Sequence, residues 1–204
     1  MDRALEGRHL LDHPFYRRWE RGDLVDGELQ SYAEQYRFFE TCLPSFLAEL
    51  ADRLPSGVAR DAVADNLRDE VSTPSHLEMF DWFARHYGAG RVAVSPAMAN
   101  LIAVYRSVLM AGNGPALAGL LAYELQGAEI AITKSTGLRE HYGATSTATS
   151  FWDAHGEIEQ DHATWTMAGL ESLDVAEDVI EHAAREVADA WWAFLTERDA
   201  LVGA

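Results

Sequence analysis

The chain has 204 residues, of which 48% are hydrophobic and 24% charged, a composition typical of one soluble domain with a sizeable core. Its formal net charge of −17 makes nonspecific binding to nucleic acid or to an anionic membrane unfavourable. No apolar run is long enough to span a membrane, and the first residues, MDRALEGRHLLDH, lack the apolar core of a signal peptide. We therefore expect a cytoplasmic protein in which residues 1–204 form a single domain.

Almost every segment has apolar residues at helical period, and no Asn-Gly or Asp-Gly turn separates two alternating runs. The sequence therefore predicts an all-α chain. Short links between about seven to eight helices favour a compact bundle. The predicted helices, in chain order, are 14–21, 27–50, from Ser56 and Gly57 to about 71, 75–87, 96–111, 115–141, 146–172 and 175–202.

The segment His155-Gly-Glu-Ile-Glu159-Gln-Asp-His162 lies in the seventh of these helices. Offsets of four and seven residues turn about 40° and about −20°, so His155, Glu159 and His162 share one stripe. Taken alone, this pattern also fits a solvated helix face. The aromatic residues Phe151 and Trp152 just before it indicate a buried helix, where unpaired charges are costly and a metal ion would compensate them.

More carboxylates and another imidazole occur upstream. Glu124 interrupts an otherwise apolar helix, and buried carboxylates are rare unless they are paired or coordinating. Glu70 and His76 flank a break at Pro74, where irregular backbone can turn both side chains inward. Asp69 is an alternative to Glu70, and spacing leaves both open. Three carboxylates and three imidazoles from several helices form the ligand set of a dinuclear iron or manganese site.

Several motifs between residues 9 and 170 together resemble those of a known family. They are Asp12-His-Pro-Phe-Tyr-Arg-Arg-Trp19, Gln30-Ser-Tyr-Ala-Glu-Gln-Tyr36, Asp65-Asn-Leu-Arg-Asp-Glu70, His76-Leu-Glu-Met-Phe80, Tyr123-Glu-Leu-Gln-Gly-Ala-Glu-Ile-Ala131 with Lys134, and Phe151-Trp-Asp-Ala-His155 through His162-Ala163. The family is that of the haem-oxygenase-like di-metal oxidases, in the fold group of thiaminase II and pyrroloquinoline-quinone synthase. The chain resembles in particular its 4-aminobenzoate synthase branch, which includes chlamydial proteins that associate with death domains.

The resemblance implies a haem-oxygenase-like bundle that holds two metal ions, Fe/Fe or Fe/Mn, with O2 and an external reductant as co-substrates. By analogy with the fold group it also implies a homodimer. Two departures from the branch are Glu159, where an aspartate is usual, and a loop between Glu70 and His76 that is one residue shorter. The longer Glu159 is expected to bind metal in a shifted mode. The implied metal ligands are Glu70, His76, Glu124, His155, Glu159 and His162.

The resemblance also implies roles for Tyr16, Tyr32, Tyr123 and Lys134. Enzymes of this branch make 4-aminobenzoate from one of their own tyrosines, the counterpart of Tyr16, and take its nitrogen from the counterpart of Lys134. Tyr32 and Tyr123 match further tyrosines of the branch, whereas Phe151 replaces another. Lys134 lies in an apolar context, where a lysine would otherwise be expected only as a snorkelling surface residue.

These features favour a self-sacrificing 4-aminobenzoate synthase, which is an O2-dependent dinuclear metal oxidoreductase limited to one turnover per chain. One alternative is an oxidase or oxygenase that acts on an exogenous amine, amino acid or fatty acid. Another is a protein without enzymatic activity that binds death domains or a different helical partner. Fast O2 consumption only after a substrate is added would indicate the first alternative, and a function that survives loss of His155 would indicate the second.

Overall fold

The computed structural model describes residues 1–203, and all regular secondary structure in that range is helical. It contains eight α-helices of eight or more residues, preceded by a helix of one turn, so the predicted all-α bundle is confirmed. The helices are α1 Asp2–Leu5, α2 Pro14–Arg21, α3 Asp26–Arg53, α4 Val58–Glu70, α5 His76–His86, α6 Pro96–Ala111, α7 Asn113–His141, α8 Ser146–Glu171 and α9 Glu177–Asp199, with 3-10 turns at Leu10–Asp12 and Ala200–Gly203.

The helix ends differ from the prediction by up to three residues, except in α2 and α6, whose ends agree with it. Residues 113 and 114 fall between two predicted helices but form the start of α7, which begins at Asn113. Pro115 is tolerated there because the first N–H groups of a helix have no partner within the helix. Gly112 precedes α7 with φ 142°, a conformation that favours glycine.

Helix α7 is central in the bundle. It packs along α8 and α9, while α8 also packs against α4 and α5, and α3 contacts α4, α5 and α6. One continuous hydrophobic cluster joins these elements. None of the helices in the described range is both long and apolar enough to cross a membrane. The arrangement brings together α4, α5, α7 and α8, the four helices that carry the predicted metal ligands.

His13 caps α2, the helix that carries Tyr16. Its Nδ1 accepts a hydrogen bond from the Phe15 backbone N–H at 3.1 Å, and its Nε2 lies 3.1 Å from Thr196 Oγ1. The ring is buried, and accepting the cap bond requires an unprotonated Nδ1. Burial lowers the pKa of His13 to about 4, although the nearby Asp199 opposes the shift. The start of α2 therefore depends on a neutral imidazole.

We expect the protein to lose stability between pH 7 and pH 5 because His13 stays neutral in the fold. The unfolded chain protonates this histidine near pH 6.5, so between that value and about pH 4 the unfolded state binds more protons and is favoured. The contribution of His13 to this loss is about 1–2 kcal/mol at pH 5. Urea denaturation of the wild type and of His13→Asn, which still caps but does not titrate, measures it. The same pH dependence in both proteins would contradict this role.

Candidate metal centre

The connection between α4 and α5 positions the first two predicted ligands. Glu70 is the last residue of α4, and His76 is the first residue of α5. Ser75 begins α5 with a capping box: its Oγ accepts from the Glu78 N–H at 3.2 Å, and its N–H donates to Glu78 Oε2 at 2.9 Å. The cap fixes where α5 starts and thereby directs His76 into the bundle.

Glu70, His76 and His155 offer ligand atoms that lie within 4.8 Å of one another. His76 Nδ1 and Glu70 Oε1 are 3.0 Å apart, yet Nδ1 has no hydrogen bond with proper geometry among the described residues. The His155 Nδ1 lies 2.8 Å from the Phe151 carbonyl, which leaves Nε2 free. Histidine ligands are commonly held in this way, with the second nitrogen donating to a carbonyl. These three side chains can hold one metal ion.

The other three predicted ligands line a small cavity of about 30 Å³, together with Glu70 and His155. Glu124 projects from α7, and its Oε1 accepts a hydrogen bond from Asn66 Nδ2 at 2.8 Å. Glu159 and His162 project from α8, and His155 Nε2 lies 4.0 Å from Glu159 Oε1. All six predicted ligands are buried. The structure thus brings the whole predicted set to one place.

The structure distinguishes Asp69 from Glu70, although spacing alone left both open as metal ligands. Glu70 is 4% exposed and lines the cavity. The Asp69 side chain is 38% exposed, and its Oδ2 lies 3.1 Å from His162 Nε2. In this position Asp69 can orient the His162 ring, while Glu70 offers its carboxylate to the cavity.

The electrostatics of the cavity favour a bound cation. Burial raises the pKa of Glu124 to about 7, although hydrogen bonds from Thr166 and Asn66 oppose this shift. Burial, followed by the neighbouring carboxylates, raises the pKa of Glu159 well above its usual value. Burial, followed by His76, lowers the pKa of His155 well below its usual value. Without a cation, these groups therefore tend to become uncharged.

Four buried atoms that could each donate a lone pair to a metal ion have no hydrogen-bond partner among residues 1–203. They are Glu40 Oε2, His76 Nδ1, Glu124 Oε2 and Glu159 Oε2. Buried polar atoms are rarely left without a partner because their desolvation costs about 1–3 kcal/mol each. A metal ion in the cavity would accept these lone pairs. Mixed carboxylate and imidazole donors suit iron and manganese, so the residues fit a cofactor of that type.

A second cluster joins the predicted tyrosines to Lys134. The Lys134 Nζ donates to Tyr32 Oη at 2.7 Å, and Tyr32 Oη lies 2.9 Å from Tyr16 Oη. Tyr123, which lines the cavity, joins the cluster through Tyr36, because their hydroxyl oxygens are 2.9 Å apart. The structure therefore brings all four predicted residues into one buried group next to the metal ligands.

Lys134 is the only lysine in the chain, where the other fifteen cationic side chains are arginines. It is 1% exposed, and its Nζ lies 4.1 Å from the Trp152 ring centroid and 4.5 Å from that of Tyr16. Burial lowers the pKa of Lys134 well below its usual value, although the charge of Glu40 opposes this. The expectation of a snorkelling surface lysine does not hold, and the side chain is instead a buried amine surrounded by aromatic rings.

Two residues of the site were absent from the sequence-based prediction. Tyr36 appears there only as the end of a quoted motif, and Glu40, on the same helix, has no predicted role. Both line the cavity, and Glu40 is 3% exposed. Burial, followed by the charge of Glu70, raises the pKa of Glu40 well above its usual value. The available signal was a charged residue four positions after Tyr36, on the buried face of an amphipathic helix.

An all-helical bundle with buried carboxylates and imidazoles around one cavity is typical of non-haem metal oxidoreductases. A family model described as "iron-containing redox enzyme" matches residues 30–197. The chain belongs to this family. It is therefore an oxidoreductase with a metal cofactor.

Known proteins similar to this chain agree with that assignment. A 4-aminobenzoate synthase of Chlamydia pneumoniae is 29% identical over 205 residues, which cover 96% of this chain and 92% of that protein. A 4-aminobenzoate synthase of Nitrosomonas europaea is 32% identical over 217 residues and covers 96% and 87%. A crystal structure from Shewanella denitrificans, described as a domain with a heme oxygenase-like fold, superposes with a TM-score of 0.76 at 15% identity, covering 96% of this chain and 86% of that one. This last similarity confirms the fold.

We expect Gly127→Ala to weaken metal binding without altering any ligand. A Cβ atom on Gly127 would lie 2.7 Å from the Glu159 carboxyl carbon, so the carboxylate must move. The buried site leaves little room for this, and overpacking of this kind costs about 1–3 kcal/mol. Titration of the metal-free protein with Mn²⁺, followed by equilibrium dialysis, should show that at least one ion binds with lower affinity than in the wild type.

Gly27→Ala is the matched control, because a Cβ atom at that position meets nothing within 4 Å and φ is not positive. Its metal affinity should equal that of the wild type, and its stability should change by no more than about 0.5 kcal/mol. Wild-type metal affinity in Gly127→Ala would show that the position of Glu159 is not needed for binding.

Proposed function

We propose that the chain is a self-sacrificing 4-aminobenzoate synthase, with residues 1–204 as one domain. Glu70, His76, Glu124, His155, Glu159 and His162 hold two metal ions, Fe/Fe or Fe/Mn. Tyr16 provides the ring, Lys134 provides the nitrogen, and Tyr32 and Tyr123 support the reaction. The proposed enzyme acts as a homodimer. Relatives that carry the name 4-aminobenzoate synthase, matched over nearly their full length, support the product.

The position of the Lys134 amine carries this proposal. Its Nζ lies 4.5 Å from the centre of the Tyr16 ring, and Tyr32 Oη bridges the amine and the Tyr16 hydroxyl. Forming a carbon–nitrogen bond requires an amine with a free lone pair, which is the form that burial of Lys134 favours. The nitrogen donor and the aromatic ring are thus next to each other before any reaction begins.

The small cavity supports a reaction on the protein itself. A volume of about 30 Å³ has room for one or two water-sized groups, whereas binding sites for organic ligands usually measure hundreds of Å³. Three tyrosines of the chain, Tyr36, Tyr105 and Tyr123, line this cavity. This observation disfavours the alternative in which a free amine, amino acid or fatty acid enters the site.

The product determines which bonds change. 4-Aminobenzoate keeps the ring and Cβ of a tyrosine, so the Cα–Cβ bond of Tyr16 breaks and Cβ becomes the carboxylate carbon. The ring C–O bond of Tyr16 breaks with loss of water as the Lys134 nitrogen replaces the phenol oxygen. Oxidation followed by hydrolysis breaks the Cε–Nζ bond and leaves Cε of Lys134 as an aldehyde. The two metal ions, when bound, supply the oxidising chemistry with O2 and an external reductant. The whole reaction can occur once per chain.

The side chains of the tyrosine cluster orient the reacting groups and exclude water. Trp19 packs edge-on against Tyr32, at a centroid distance of 5.2 Å, and its indole N–H donates to the Lys134 carbonyl at 3.3 Å. Trp152 covers the amine from the side of the metal ligands. The Tyr32 hydroxyl oxygen accepts a hydrogen bond from the Lys134 amine and thereby fixes the position of the amine. Such fixed positions lower the entropic cost of bringing the amine to the ring.

Tyr16→Phe and Lys134→Met should each abolish 4-aminobenzoate while the variants still bind metal. Phenylalanine lacks the phenol oxygen, and methionine has a similar volume to lysine but no amine. Chromatography of the product, together with the intact mass of the chain before and after treatment with Fe²⁺, reductant and O2, measures this outcome. The wild-type chain should lose mass, and both variants should keep theirs.

Tyr87→Phe is the control, because Tyr87 is half-buried and its hydroxyl donates to the Tyr142 carbonyl, away from the cluster. This variant should form as much product as the wild type. Repeated turnover by a chain of unchanged mass would exclude the self-sacrificing reaction, and elemental analysis of the same preparations distinguishes Fe/Fe from Fe/Mn.

A further inference from the structure

Glu40 is a buried carboxylate with no evident partner in the described part of the chain. It is 3% exposed, and its Oε2 accepts no hydrogen bond there. The nearest candidate for an ion pair is the Lys134 amine, but that Nζ donates to Tyr32 Oη and lies among aromatic rings. Removing a carboxylate from water without a partner is costly. A cation in the cavity would balance the charge of Glu40 and offset this cost.

The position of Glu40 in α3 directs it to the metal cavity. Tyr32, Tyr36 and Glu40 are spaced four residues apart, so they share one face of the helix. Tyr36 and Glu40 both line the cavity that Glu124 and Glu159 also line. Pro44 lies inside α3 and has no N–H to donate to the Glu40 carbonyl, so the helical hydrogen-bond pattern is interrupted at this residue.

The charges of the proposed metal centre leave room for one more anion. The six proposed ligands include three carboxylates, at Glu70, Glu124 and Glu159, and three neutral imidazoles. Two divalent ions carry four positive charges, so the six ligands leave one charge uncompensated in a buried site. Buried charge is tolerated best when it is fully paired. A fourth carboxylate would make the buried centre neutral, and Glu40 is the additional carboxylate that lines this cavity.

We propose that Glu40 is a seventh ligand of the metal centre, a fourth carboxylate that α3 contributes from the side of the tyrosine cluster. This inference rests on the metal centre of the proposed function but not on the reaction at Tyr16. It gives α3 a direct part in metal binding, besides the four helices that carry the six other ligands. It also accounts for the unpartnered Oε2 without assigning it to Lys134.

Glu40→Gln tests the proposal because glutamine keeps the shape of the side chain and removes its charge. Metal-free protein would be titrated with Co²⁺ under anaerobic conditions, with equilibrium dialysis for affinity, visible absorption for coordination and Tm for stabilisation. The wild type should bind two ions. Glu40→Gln should bind one of the two ions at least about tenfold more weakly and should show an altered Co²⁺ absorption spectrum. Its Tm should rise less on metal binding than that of the wild type. Without metal, its Tm should equal or exceed that of the wild type.

Glu49→Gln is the matched control on the same helix, because Glu49 lies at the surface, with 41% of its side chain exposed, and pairs with Arg106 at 3.0 Å. It should bind Co²⁺ like the wild type. Glu40→Asp retains the charge on a shorter side chain and should weaken the same ion, which gives a second result if Glu40→Gln does not fold. Unchanged affinity and spectrum in the folded Glu40 variants would overturn the inference, even if they formed no 4-aminobenzoate. No Co²⁺ bound to the wild type would overturn the metal centre itself.

Discussion

The rest of the structure depends on buried carboxylates that each keep one oxygen without a hydrogen-bond partner in the described part of the chain. Glu124 and Glu159 lie inside the bundle, and each has an oxygen that accepts no hydrogen bond among the described residues. Burying such carboxylates in a core is unfavourable unless a cation balances their negative charge or they take up protons. A metal ion bound by both carboxylates would offset this cost and would connect α7 to α8. Metal binding and the stability of the bundle centre should therefore be coupled.

The two buried clusters are adjacent because the same helices build both of them. Glu124 and Lys134 lie ten residues apart on α7, about 15 Å along its axis, and α8 carries both Trp152 and His155. Tyr36 on α3 connects the two clusters, because it lines the cavity of the metal ligands and its ring centroid lies 5.1 Å from the Lys134 amine. Aromatic rings surround the Lys134 amine, and the cavity of the metal ligands measures only about 30 Å³. The geometry thus favours chemistry on the chain itself.

The sequence predicted the helices well, since capping residues and apolar periodicity are local signals. It also predicted that Glu70 and His76, separated by an irregular break, would turn to the same place, which the Ser75 cap accomplishes. Glu40 was missed because its stripe consists mainly of aromatic residues, and only tertiary packing reveals that this face meets other carboxylates. Burial of Lys134 likewise depends on rings from α2, α3 and α8, which helical periodicity within α7 cannot specify.

The origin of the product nitrogen tests the central claim most directly. Because Lys134 is the only lysine, protein made in a lysine auxotroph with lysine labelled with ¹⁵N at its side-chain amine carries the label at that one position. After treatment with Fe²⁺, reductant and O2, the account predicts ¹⁵N in the amino group of 4-aminobenzoate, with at most one labelled molecule per chain. Unlabelled 4-aminobenzoate from fully labelled protein would contradict it.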